Sequence, residues 1–310
     1  MELKMSILPF DKLNNYPPIV YKYRTWDDKF HKEIILEQTV FMAKPSSFED
    51  PLDCKLQKRY DLLTEKDIFN KYFQDSKTKN PAWTRQQRRK YAKDWTKKSP
   101  MKDKEHIKSM QAKHFEDFDN RLGVLSLTAN PKNFSMWEKY SDSHKGFCIG
   151  FDSKKMFKYL GGGGEVAYYE NLPIIYPFDS FEEEYFKQVF SKEKKWAFEE
   201  EYRTLKTYQK ELVSIEDRKI QLPKECYKEI IFGAFMSDNL IDEIIYICKQ
   251  QGFNIDFHKE IINKKNEITL EKMPSHNEQF HESGGVESYD TWCGTSSVAL
   301  VPTFPNPPPS

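Results

Sequence analysis

An α+β fold built on a mostly antiparallel sheet is predicted by three features of this 310-residue chain. Short runs rich in β-branched and aromatic residues recur along it, bounded by turn residues. One long stretch, about residues 62–120, carries helical patterning and no strand signal. Towards the C-terminal end a strand, a helix and another strand follow as a β-α-β unit. The length permits one large domain or two ordinary ones. The patterning favours a single α+β domain over residues 1–272, with the helical stretch as an insertion, and a Pro/Gly-rich flexible tail over 273–310.

Composition narrows the class. Charged residues reach 31%, which is polar, but aromatics at 15% supply enough bulk for a core, so disorder is not expected. The formal net charge is zero and names no partner. Five cysteines are scattered with no Cys-x-x-Cys, as free thiols in a reducing compartment would be. No signal-peptide run and no bilayer-length apolar stretch is present, so a soluble, cytoplasmic protein without a membrane partner is expected.

The elements follow in order. Pro17-Pro18 starts a strand over Ile19–Arg24 in which Arg24, Lys22 and Val20 share one face and Tyr21 and Tyr23 the other. A helix is expected through Phe30–Leu36, then a short strand over Thr39–Ala43. Pro45 to Asp53 reads as a turn-rich loop whose acids cap turns or face a site. After the insertion, Leu122–Thr128 is a strand with Ser126 and Thr128 on one face and Leu125 and Leu127 on the other. Phe134–Ser141 is one or two helical turns carrying Trp137 and Tyr140. His144 sits in the turn before the strand Phe147–Asp152, as a site residue or as a turn histidine with an ordinary hydrogen bond. Gly161 to Gly164 lacks the Lys-Ser/Thr of a phosphate loop and reads as a flexible turn before a strand over Glu165–Tyr169. Phe181 to about Glu193 is an amphipathic helix. Tyr227–Gly233 is a strand, Ser237-Asp238 an N-cap, Leu240–Gln251 a helix closed by Gly252, and Phe253–Phe257 a further strand.

The stretch Lys195 to Leu205 carries the densest chemistry. Read as a strand running on to Tyr208, it turns Glu199, Glu201 and Arg203 to one side and Trp196, Phe198 and Tyr202 to the other. Two carboxylates and a guanidinium on one face suit a polar ligand and positive charge developing on a sugar. Read as a helix, Lys195, Glu199 and Arg203 fall at i, i+4 and i+8 as surface ion pairs.

The helical insertion is strongly basic. Lys77 to Lys113 carries about ten more basic than acidic residues. Trp83, Tyr91 and Trp95 are interleaved with Arg85, Arg88, Arg89 and Lys93, a mixture that contacts phosphates and stacks on bases, or forms a solvated helical face with its aromatics turned inward. No His-Glu-x-x-His, cysteine cluster, Gly-x-Ser-x-Gly elbow or dinucleotide fingerprint occurs, so no bound metal is expected and a serine hydrolase is disfavoured.

Four motifs together resemble the bacterial domain-of-unknown-function family twenty-nine seventy-one. They are Tyr21-Lys22-Tyr23-Arg24; Phe48-Glu49-Asp50-Pro51-Leu52-Asp53, with Glu49 departing at an Asn position; Leu125-Ser126-Leu127-Thr128 with Met136 to Asp152; and Trp196-x-x-Glu199-x-Glu201-Tyr202-Arg203. The resemblance spans about residues 19–258 and leaves out the basic insertion and the tail. The order of Arg, Ser/Thr and Glu-x-Glu on successive strands is also similar to the ADP-ribosyltransferase superfamily. That resemblance implies a split, ADP-ribosyltransferase-like sheet and NAD as substrate. It implies Glu201 as the catalytic carboxylate, Glu199 orienting the acceptor and Arg24 on phosphate or nicotinamide. Tyr23, Ser126, Thr128, Trp137, Tyr140, His144 and Arg203 would frame the nucleotide.

The leading expectation is therefore an NAD-consuming transferase or glycohydrolase. Members resembling this chain occur among bacterial toxins and phage-defence genes. The basic insertion offers a nucleic-acid acceptor, and the C-terminal tail a protein partner. Two other readings stay open. One is a sensing module whose carboxylates are structural ion pairs. The other is a nuclease with a metal on Asp50, Asp53, Glu199 and Glu201.

Overall fold

Proline at positions 17 and 18 leads the chain into β1 (Ile19–Arg24), the central strand of the largest sheet. The computed structural model describes residues 16–210 and 212–274. Asp28 then caps α1 (Lys29–Leu36), its carboxylate accepting from the Phe30 and His31 amides at 2.8 and 3.2 Å. A short β2 (Thr39–Phe41) follows. The basic insertion forms three helices, α2 (Glu65–Lys79), α3 (Arg85–Lys97) and α4 (Lys104–Arg121). Capping boxes at Thr64/Asp67 and Thr84/Gln87 start the first two. The last helix runs directly into β3 (Leu122–Thr128).

Next come α5 (Phe134–Tyr140), β4 (Phe147–Asp152), α6 (Ser153–Leu160), β5 (Gly164–Glu165), β6 (Ala167–Tyr169) and α7 (Phe181–Val189). The chain continues with β7 (Ser191–Glu193), a 3-10 turn over Lys194–Glu199, β8 (Glu201–Thr207) and β9 (Lys219–Gln221). It closes with β10 (Tyr227–Phe232), α8 (Asp238–Gln250), β11 (Asp256–Ile262) and β12 (Ile268–Lys272).

Eight strands pair in the order β12-β11-β10-β4-β1-β3-β8-β5. All of these pairings are antiparallel except β10 with β11, which the α8 crossover makes parallel. The fold is thus mixed α+β on a large, mostly antiparallel sheet. Two small sheets, β2 with β9 and β6 with β7, flank it.

Alternation divides the core. Val20, Leu125, Leu127, Ile149 and Phe232 pack with Ile34 and Ile35 of α1, Met156 and Phe157 of α6, and Ile241 and Ile244 of α8. On the other face Tyr21, Tyr23, Cys148 and Ile231 pack around the fully buried Trp137 of α5. A third cluster joins Leu122 and Val124 to Phe118 of α4 and Tyr185 and Val189 of α7. Cys54, Cys148, Cys226 and Cys248 are buried free thiols.

Three sequence expectations need correcting. The helix expected to reach Glu193 ends at Val189, because Phe190 is buried and Lys192 turns inward to a cluster of acids. The strand expected from Lys195 begins only at Glu201. Lys194–Glu199 forms a 3-10 turn, and Glu200, with φ of 43°, reverses the chain between the two acids. The expected strand over 165–169 divides at Val166 into β5 and β6, which join different sheets. Helix α6 and strand β12 had no expectation. The expected tail, with Trp292, Cys293 and the proline-rich end, lies outside the described residues from 275 onward.

Candidate functional site

The site arises where β1 and β3 part. These strands pair at one register only, Tyr21 opposite Thr128. Beyond it, Lys22 to Arg24 and Val124 to Leu127 diverge and border a cavity of about 620 Å³. The register puts Ser126 opposite Arg203 and Thr128 opposite Glu201, so these four share a face with Tyr21. Lys22 and Arg24 start on the opposite face. In a closed sheet they would never meet Glu201. The opening lets side chains from both faces line one cavity.

Two cations stand at the β1 side. Lys22 Nζ donates to the Ser126 carbonyl at 2.7 Å, and Arg24 Nη1 to the Tyr23 carbonyl at 3.2 Å. Among the described residues neither lies within ion-pair distance of a carboxylate, although Asp28 acts on Arg24 from farther off. Burial, and then the Arg24 charge, push the Lys22 amine down to about 7. Burial lowers Arg24 to about 10. His31, whose Nδ1 lies 2.9 Å from Thr25 Oγ1, is pushed down to about 4 by burial and then by Arg24.

Opposite stands a buried ion cluster. All five Arg203 N–H groups are taken. Nη1 and Nη2 bind Asp53 at 2.7 Å each, Nε and Nη2 bind Glu201 at 2.7 and 2.9 Å, and Nη1 also reaches the Val189 carbonyl at 2.8 Å. Lys192 bridges Glu199 at 2.5 Å, Glu201 at 3.1 Å and Asp53 at 3.5 Å. Burial alone favours a neutral Glu201. Arg203 and then Lys192 outweigh it, and the carboxyl falls to about 2. Burial likewise opposes the Lys192 charge, yet Glu201 and Glu199 hold its pKa above the ordinary lysine value.

Glu199 is held differently. The Tyr140 hydroxyl donates to its Oε1 at 3.0 Å, and its backbone carbonyl accepts from Thr128 Oγ1 at 2.6 Å. Glu201 therefore has three charged N–H donors on its carboxylate, and Glu199 has one, plus a phenol. Two further cavity atoms lack a hydrogen-bond partner among the described residues: Asp50 Oδ2, an acceptor, and Trp196 Nε1, a donor. Buried polar atoms without partners carry a desolvation cost, which a ligand bonding to them relieves.

No protein-family model, curated protein or solved structure matches the chain. The site is therefore read from its own geometry.

Of the residues singled out in the sequence, Tyr23, Arg24, Ser126, Thr128, Tyr140, Glu199, Glu201 and Arg203 all line the cavity. Trp137 and His144 do not. Trp137 is buried behind the wall, edge-on to Tyr23, with Nε1 donating to the Pro131 carbonyl at 2.9 Å. His144, also fully buried, stacks parallel to Trp137 and binds Glu260 through Nδ1 at 2.9 Å. Both pack behind the wall and neither lines the cavity. Among the described residues no group of three or more His, Cys, Asp or Glu is arranged to hold a metal ion. Asp53 and Glu201 direct their oxygens to Arg203 and Lys192.

Lys22, His31, Lys192 and Trp196 had no assigned role in the sequence. Lys22 carried one signal, its alternation with Arg24. Lys192 carried none, since it lies among several lysines and its inward turn depends on the break at Phe190.

Proposed function

We propose that the cavity binds NAD and that the protein consumes it, transferring ADP-ribose to an acceptor or to water. The observation that carries this reading is the opposition, within one cavity, of two cations outside ion-pair distance of any described carboxylate, Lys22 and Arg24, to the Glu199/Glu201 pair. A pyrophosphate is the ligand group such cations fit. A carboxylate across from them stabilises the oxocarbenium-like charge that develops as a glycosidic bond breaks. The opening between β1 and β3 supports the split-sheet, ADP-ribosyltransferase-like reading of the fold. The orphan Asp50 and Trp196 atoms support a ligand with both donors and acceptors.

In the reaction, the bond between nicotinamide and ribose C1′ breaks and nicotinamide departs with its electron pair. The acceptor oxygen or nitrogen bonds C1′ and passes its proton to Glu199 or to water. Glu199 has more open acceptor capacity than Glu201, so we assign it to a ribose or acceptor hydroxyl. Glu201 then acts as the buried charge that holds Lys192 and Arg203 in place. Such depletion of NAD suits the toxin or phage-defence role that the family resemblance implies.

Release of nicotinamide from NAD tests the reading, with wild type, Glu199→Gln and Glu201→Gln compared with and without cell lysate. Loss of release in Glu199→Gln by about 100-fold or more is expected. Full turnover in both variants would remove the carboxylates from the mechanism. A second reading is favoured by the saturation of Glu201: a module that binds the nucleotide without cleaving it. Tight NAD binding with no nicotinamide release in any mixture is its signature.

A further inference from the structure

We propose that the exposed face of α3 is a docking surface for a nucleic-acid phosphate backbone, read without regard to sequence. The inference is independent of the cavity reading. Arg85, Arg89, Lys93 and Lys97 recur every fourth residue along α3 and are all exposed. At about 1.5 Å of rise per residue they form a stripe roughly 18 Å long with a cation about every 6 Å. Lys90 lies beside it. Among the described residues none of the five makes an ion pair or hydrogen bond with its side chain. The helix carries one acid, Asp94. Two cations at the ends of the same insertion do find acids, Lys102 at Glu65 and Arg121 at Asp117. The α3 stripe is instead left uncompensated.

The structure also decides how such a partner is held. Trp83, Tyr91 and Trp95 do not stand out as stacking platforms. Tyr91 and Trp95 pack on Tyr72 of α2, and Trp83 packs on Tyr91, with ring centroids 5.4 to 6.5 Å apart. Arg88 turns aside as well, donating to the Pro81 carbonyl at 2.7 Å. What remains outward is mainly charge, with only the Trp95 ring partly exposed beside Lys98. That fits a regular polyanion bound through its phosphates, with release of its counterions, and not a single strand stacked base by base.

Fluorescence anisotropy with labelled 20-base-pair duplexes of DNA and of RNA tests this. Neutralising four phosphates predicts a slope of log affinity on log salt of about −4, or roughly 100-fold weaker binding between 50 and 200 mM salt. The R85Q/R89Q/K93Q/K97Q variant is expected to lose at least tenfold in affinity and nearly all of that slope. Its Tm should stay within about 2 °C of wild type, because the side chains are exposed and unpaired. A charge-matched control, K154Q/K158Q/K264Q/K265Q, should bind as wild type. Binding to either duplex in this pattern supports the proposal, and the two arms tell which backbone is preferred. Equal loss in the control, absence of salt-dependent binding, or tighter binding to polyglutamate or phosphatidylserine vesicles would overturn it.

Discussion

Arg203 is 1% exposed and has every donor satisfied, so its contribution is to fix Asp53, Glu201 and the end of α7 as one rigid wall. Removing one side of such a pair strands the other charge in the interior. Arg203→Ala is expected to cost about 3–5 kcal/mol in a denaturant titration. The Glu201 carboxyl, at about 2 in the folded protein, lies below the ordinary glutamate value of about 4.3. The stabilisation it provides is complete above that ordinary value and is lost as pH falls towards 2. Melts between pH 5 and 2 should show this loss, with a shallower dependence in Glu201→Gln. Lys22 has the opposite sense. Its amine is pushed down to about 7, so its positive charge is present below pH 7 and fades above it. Affinity for an anionic nucleotide is expected to fall as pH rises through 7, and Lys22→Arg should flatten that profile.

At the scale of elements, the opening between β1 and β3 depends on what holds the end of β1. Asp142, Ser143 and His144 all have positive φ, a left-handed turn that swings the chain back to β4. Gly146 follows it, and a Cβ there would sit 2.1 Å from the Arg24 carbonyl oxygen. Only glycine permits this approach. Gly146→Ala is expected to destabilise the protein by about 1–3 kcal/mol and to displace Arg24. Weaker nucleotide binding than the stability loss alone explains, measured at a temperature where the variant is fully folded, checks the displacement.

Over the whole molecule, local patterning made most elements legible. Strand β3 was anticipated with its bounds and both faces, since Leu125 and Leu127 alternate with Ser126 and Thr128. The helical character of the insertion, β1, β4, β10 and α8 were likewise readable from alternation, helical spacing and turn residues, whereas the strand expected over Phe253–Phe257 begins at Asp256 and runs to Ile262. The convergence of Arg24, Ser126, Glu199, Glu201 and Arg203 on one cavity was legible in part, as same-face patterns on separate stretches. Its geometry was not. A single-register contact between β1 and β3 leaves no local mark, and the left-handed Glu200 is not a residue type that announces a reversal. The resemblance implies Trp137 and His144 as framing residues, but both are buried and neither lines the cavity. The insertion's charge was visible, but only packing showed that Tyr91 and Trp83 turn into the α2–α3 cluster while the α3 cations stay outward.

The central claim is that the opened sheet forms a nucleotide site anchored by Lys22 and Arg24. Calorimetric titration of NAD into wild type, Lys22→Gln and Arg24→Gln at pH 6.5 tests it most directly. We predict that wild type binds NAD and that each variant binds at least tenfold more weakly with an unchanged Tm. Equal affinity in all three, or no binding by folded wild type, would contradict the account.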